Sequence, residues 1–364
     1  MKRRADPGLK YVALFLLGVL AQPPPAAPAS LPEQIIAKAK MEGTLVVAGS
    51  NASEFRDDLK GFQKKYPFIT VKAFEANTTM TVNRVITEAK AGRLSIDVVD
   101  IGADGANVLA GRGLLAKREF PHLKDFASKT QPRSGLYVTI ALNQRVQGIY
   151  NTDLVSRTEI PRSWGDMLDP KWTKTGTMLS RSAEEFPAKL AWLWRKGKKL
   201  NWKRSFDFFT KLFQNTKPGI GRGYSGITQR VAAGEGGIFW FGVTAPAARL
   251  KHRGAPLGLI GFPRFPVTFR SEGITKGAPH PNAAWLLIDY LTSPEGQQEY
   301  TDKIHSAFPL NHKAKDGRLS AFVKKEGITL DMADILRPDE INEVFSEEVL
   351  KKSEKFFFKL LGIQ

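Results

Sequence analysis

Residues 277–297 read GAPHPNAAWLLIDYLTSPEGQ and describe two helices that meet at a tight corner. Pro281 suits a first helical position, because the N–H it lacks would have no partner there. Ala284, Leu287, Ile288 and Leu291 follow at the i, i+3, i+4, i+7 spacing of a buried face. Ser293 and Pro294 repeat the start signal and open a second helix. Taken alone, the stretch predicts a packed helix pair.

The chain around it has 364 residues, more than one hydrophobic core comfortably serves, so two lobes are expected. Lys2, Arg3 and Arg4 precede an apolar run over residues 11–21, and Ala27-Pro28-Ala29 fits the small-x-small rule for cleavage. The run falls short of the roughly 20 residues that span a bilayer, so a cleavable leader over residues 1–29 and export to the periplasm are expected. There is no cysteine, which excludes a disulfide framework and thiol lipidation and points to a free monomer. Losing the leader removes Lys2, Arg3, Arg4, Lys10 and one acid, Asp6, and lowers the net charge from +18 to about +15. A basic body favours encounters with anions without naming them.

Strand and helix patterns alternate after the leader. Residues 31–41 predict a helix, 44–48 (TLVVA) a strand ending at Gly49-Ser50-Asn51, 55–65 a helix, 69–74 a strand, 80–91 a helix and 96–101 (IDVVDI) a strand. This order predicts an α/β fold with mainly parallel sheets flanked by helices. Ligands of such sheets sit beyond the carboxyl ends of strands, where helix N-termini and polar loops converge. Residues 136–142 and 146–150 are extended, and 177–180 form a strand that opens into a helix near Ser182.

Three blocks carry a family resemblance: residues 277–297, the run from Tyr150 through Pro161-Arg162-Ser163-Trp164-Gly165-Asp166 to Trp172, and residues 226–243 (GITQRVAAGEGGIFWFGV). Together they resemble the solute-binding proteins of bacterial ABC importers, in the group that includes iron(III)-binding members. The resemblance implies a two-lobe type II periplasmic-binding fold, with residues 30–145 plus 268–312 in one lobe and 146–267 plus 313–364 in the other. It implies a small polar solute, anions among the candidates, as cargo in the interlobe cleft, an inner-membrane ABC permease as partner, and neither cofactor nor catalysis.

On the same footing, Ser50, Asn51 and Thr78 occupy first-lobe binding loops, and Ser180, Arg181 and Ser182 the second-lobe loop, where a guanidinium, hydroxyls and backbone N–H groups could meet an oxyanion. Tyr224, Ser225 and Trp240 are further candidates, Trp240 as an aromatic wall suited to an amine. The iron(III) members use two neighbouring tyrosines where this chain has Phe239, Trp240 and Phe241, so an iron(III)- or chelated-metal-binding protein is the alternative reading, and direct iron(III) binding lacks its phenolates.

Other chemistry finds little support. His122, His252, His280, His305 and His312 show no i, i+4 pair, so no metal site is expected. Residues 219–226 (GIGRGYSG) lack the Lys-Ser/Thr of a phosphate loop. Glu184 and Glu185 are adjacent and do not share a helix face; with no G-x-S-x-G or H-E-x-x-H, an exported hydrolase on this fold is the remaining enzymatic alternative. The basic, Trp-rich run 192–204 reads as one buried face with solvated lysines, not a nucleic-acid surface. Residues 351–361 read as an amphipathic helix docked on the body.

Overall fold

The structure is a computed structural model that describes residues 31–363 except 51, 145 and 304–307. The expected leader and Asn51 lie outside the described residues. The first lobe opens with α1 (Leu31–Glu42), β1 (Thr44–Gly49), α2 (Ala52–Asp57), α3 (Lys60–Lys65), β2 (Thr70–Glu75), α4 (Thr78–Lys90), β3 (Val98–Gly102), α5 (Ala103–Gly111) and β4 (Val138–Gln144). The chain crosses to a second lobe of β5 (Gly148–Asn151), α6 (Trp172–Thr175), β6 (Thr177–Ser180), α7 (Phe186–Leu193), α8 (Trp202–Thr216), β7 (Gly219–Gly221), α9 (Tyr224–Ala232), β8 (Ile238–Trp240), α10 (Thr244–His252) and β9 (Leu257–Ile260). It crosses back through β10 (Phe265–Ile274) to α11 (Pro281–Thr292), α12 (Pro294–Lys303), α13 (Arg318–Lys325), β11 (Ala333–Asp334), α14 (Ile341–Val344) and α15 (Glu347–Leu360).

Two sheets result, ordered β11-β10-β3-β1-β2 with β4 against β10, and β7-β6-β8-β5-β9. Both are mixed. β2, β1 and β3 run parallel, as do β7, β6 and β8. The returning strand β10 pairs antiparallel with β3 and β4, and β5 pairs antiparallel with β8 and β9. Strands that carry the chain between lobes enter each sheet from the opposite direction, which is why the strand-helix alternation gives only the parallel halves.

The helix pair of residues 277–297 forms as its spacing predicts, but α11 is buried almost all round. Ala283, Ala284, Trp285, Leu286, Leu287, Ile288, Tyr290 and Leu291 are all inside the first-lobe core. It packs against α1, α12 and the sheet, so it is an internal helix instead of a surface one. Its N-terminus is anchored by charge: Asn282 N and Ala283 N donate to the Glu42 carboxylate at 3.1 and 2.7 Å. The helix expected over 55–65 is two short ones, α2 and α3, broken at Asp58 and Leu59, where Leu59 leaves helical geometry to bury itself.

The tail is shared between lobes, whereas residues 313–364 were expected with the second. Ala333 and Asp334 pair with Phe265 and Pro266 of β10 in the first sheet, and α14 rests on α5. α15 then packs on α7 and α8 of the second lobe, burying Phe357.

Candidate functional site

Between the lobes lies a cavity of about 270 Å³. Thr78, Gly102 and Asp104 line it from the carboxyl end of β3 and the start of α4, and Arg270 lines it from β10. Glu185, Lys189 and Trp192 face it from the first turns of α7 onward, and the tail closes it with Leu336, Ile341, Phe345 and Leu350. Local geometry places the first-lobe groups. Asn77 caps α4 by accepting from Met80 N at 2.9 Å, which sets Thr78 as the first helical residue. Thr78 Oγ1 then accepts from Gly102 N at 3.2 Å and ties the two loops together.

Arg270 is held from behind. Its Nε and one terminal nitrogen each donate to an Asp100 carboxylate oxygen at 2.6 Å, a bidentate pair with both partners buried. Burial opposes the guanidinium charge, but Asp100 more than offsets it and holds the group above its ordinary value. Glu272 stands directly opposite Asp100 in the β10–β3 register. It is fully buried, and burial first, then the Asp100 charge, push its carboxyl well above the usual carboxylate range, with Arg270 pulling the other way. One guanidinium stands beside two acids, and it is the Glu272 carboxyl whose hold on a proton is raised.

A raised carboxyl favours the native state below the unfolded glutamate value of about 4.3 and loses that contribution as pH climbs through the folded value, because the native state holds the extra proton. Glu272→Gln is therefore expected to raise stability at pH 8 by more than the ~0.5 kcal/mol of an ordinary surface change and to give no gain at pH 4. Urea unfolding at the two pH values checks it; an equal difference at both would show that Glu272 does not titrate in this range.

At the tail, Lys189 Nζ lies 2.7 Å from Glu185, and Asp334 sits between Arg195 at 3.3 Å and Arg264 at 3.0 Å. The cavity's cations thus have carboxylates beside them. Asp104, exposed in the first turn of α5, enters no ion pair among the described residues.

Of the residues singled out from sequence, Thr78 lines this cavity. Ser50 ends β1 in a turn, half-buried. Ser180, Arg181, Ser182 and Tyr224 come together as a separate group: Ser180 Oγ accepts from Ser182 N at 3.1 Å, and Tyr224 Oη donates to Ser182 O at 2.6 Å. Ser225 is exposed one residue on. The Arg181 guanidinium lies over the Phe358 ring of α15, 5.8 Å from its centroid. The helix N-terminus expected to receive an anion is met by the chain itself, for Ala188 N donates to Ser353 Oγ at 2.9 Å and that hydroxyl donates to Glu184 O at 2.6 Å. Trp240 is corrected outright. It is fully buried against Trp172, inside the second-lobe core, so it walls no cleft; β8 is a central strand and its face toward α6 is covered.

Asp104, Lys189, Trp192 and Arg270 were missed. The signal lay in charges set into apolar runs, Asp97 and Asp100 in IDVVDI and Arg270 and Glu272 in FRSEGI, since a charge on a buried strand needs a partner. Nothing in the order of residues announced that the tail would return to the cleft.

Among the described residues, no cluster of three His, Cys, Asp or Glu side chains could hold a metal ion, and no helix is long and apolar enough to cross a membrane. Phe239, Trp240 and Phe241, where paired tyrosines would stand, are buried apolar side chains.

No curated protein matches the sequence. Among solved structures, the fold is similar to the periplasmic binding protein AfuA from Actinobacillus pleuropneumoniae, solved with fructose-6-phosphate, at 20% identity and a TM-score of 0.65 over 88% of this chain and 99% of that one. It is similar to iron-bound HitA from Pseudomonas aeruginosa at 21% identity and a TM-score of 0.67, covering 86% and 99%. A structure described as the Atu4243-GABA receptor gives 16% identity and 0.67, covering 86% and 97%. Identities this low carry the fold alone, and these relatives bind unlike cargoes on it. The family described as bacterial extracellular solute-binding protein matches residues 59–329, which include both sheets' parallel strands except β1 and β11, and the chain belongs to that family.

Proposed function

We propose that this protein captures a small solute in the cavity between its lobes and delivers it unaltered to an ABC permease, as the periplasmic component of an importer. The observation that carries the reading is the shared lining: Thr78, Gly102 and Asp104 from one lobe and Lys189 and Trp192 from the other bound a single space. A solute held there touches both lobes only when they are closed, so binding stabilises that state by its differential contacts. The crossings between β4 and β5 and between β9 and β10 are the hinge, and the tail joins the lobes again. In the second of them Arg264 adopts a left-handed backbone, with φ of 65°.

The test is a thermal-shift screen of the mature chain against a solute library, with calorimetry on each stabilising compound; a ligand at a hundred times its Kd adds about 2.7 kcal/mol. Thr78→Val is expected to weaken binding of a confirmed solute about tenfold, since it strips a hydroxyl from the lining and leaves Gly102 N without its acceptor, a loss of about 1–3 kcal/mol. Unchanged affinity in that variant would move the site elsewhere. Turnover of any bound compound would replace the transport reading with an enzymatic one.

A further inference from the structure

The wall opposite the polar loops of the cavity is made by the chain's own tail. From the first lobe, Asn107 Nδ2 donates to Pro338 O at 2.8 Å and to Asn342 Oδ1 at 3.0 Å, and the Arg337 guanidinium donates to Gln131 O at 2.9 Å. On the second lobe, Ser353 bonds the start of α7, and Phe357 packs edge-on to Phe209 and Phe213. The stretch between these anchors carries Ile341, Phe345 and Leu350 across the opening. Their surroundings are unusual for apolar groups. Leu350 is 40% exposed, while Phe345 meets Trp192 of α7 only at its edge, with ring centroids 6.4 Å apart. Tethered on both sides, the segment presents apolar surface inward without filling the space.

The charges sharpen this. Lys189 and Arg270 lie against Glu185 and Asp100, and Asp334 lies between two arginines, which leaves Asp104 as the acid of the lining that enters no ion pair among the described residues. A cleft with an apolar wall and, at its polar end, a carboxylate outside any ion pair among the described residues suits an amphipathic cation. Resting on the reading that the interlobe cavity is the solute site, we propose that the tail is its specificity wall, and that the cargo is an organic amine whose apolar body packs on Phe345, Leu350 and Trp192 while its ammonium faces Asp104.

Calorimetry of the whole mature chain with 4-phenylbutylamine, 4-phenylbutyrate, inorganic phosphate and ferric citrate tests it. The amine is expected to bind saturably, about tenfold more weakly in Leu350→Ala and in Asp104→Asn, and the acid of the same body is not. Both side chains are exposed, so the ligand-free melting temperature should hold; Phe345→Leu, which keeps apolar volume, is expected to retain binding. Amine affinity unchanged in Leu350→Ala and Asp104→Asn overturns the proposal. Saturable binding of phosphate or ferric citrate that Thr78→Val weakens, with no amine binding, also overturns it and leaves the interlobe site standing. If none of the four probes binds, the proposal fails, and if the solute library then yields no ligand either, the interlobe reading fails with it.

Discussion

Arg270→Met is expected to lower stability by about 3–5 kcal/mol, the cost of stranding a buried acid after its cation is removed. Methionine keeps most of the side-chain volume, so the loss would report charge more than packing. The deficit arises because Asp100 is fully buried and both its oxygens accept from this guanidinium, while the carboxyl of Glu272 beside it is already pushed well above the usual carboxylate range. The melting temperature should fall by roughly 10 °C, given about 2–4 °C per kcal/mol for domains of 150–250 residues. Adding Asp100→Asn should recover much of that loss, because the acid and its cation go together. Denaturant unfolding of the two single variants and the double variant forms the cycle that measures the coupling. Independent, additive losses would mean that the pair is not the unit of stability under the cavity.

The same cluster marks where sequence reading stops. The parallel strands β1, β2 and β3 of the first sheet, β6 and the α11–α12 corner were legible, since each is written in neighbouring residues: Pro281 and Pro294 open helices, and short apolar runs make strands, whereas β7 and the Asn77 cap of α4 were not read. β4 and β5 were visible as extended segments without direction, because direction depends on which lobe the chain has just left, and β9 and β10 were not read at all. Trp240 shows the limit for site residues. Whether a tryptophan at a strand's end faces solute or core is decided by what covers that face, and here Trp172, some 70 residues earlier, covers it. The tail shows it again, for a charged helical segment gives no local sign that it will bridge two lobes. Asp100 and Arg270 lie far apart in the chain, and only the β3–β10 pairing brings them together.

Gly296→Ala is expected to be the most damaging small substitution in the chain, and it returns the argument to residues 277–297. The corner works because α12 turns back directly against the last carbonyls of α11: Ser293 Oγ donates to Tyr290 O at 2.7 Å and accepts from Gly296 N at 3.1 Å. A Cβ at residue 296 would sit 1.8 Å from Tyr290 O and 3.1 Å from Leu291 Cα. Both are backbone atoms of a helix buried almost all round, so no side chain can swing aside, and the two helices would have to part. Gln297, next in the chain, is buried and donates to Ile140 O and Leu291 O while accepting from Leu310 N, so parting the helices also unfastens β4 and the segment after α12. Overpacking alone costs about 1–3 kcal/mol, and each of these bonds about 1 kcal/mol more, which puts the loss near 4 kcal/mol. Guanidinium unfolding measures it, with Gly111→Ala, a helical glycine with open space at its Cβ position, as the control expected to be neutral or slightly stabilising. Equal stability of Gly296→Ala and the control would mean that the corner yields, and that glycine there answers to something other than contact.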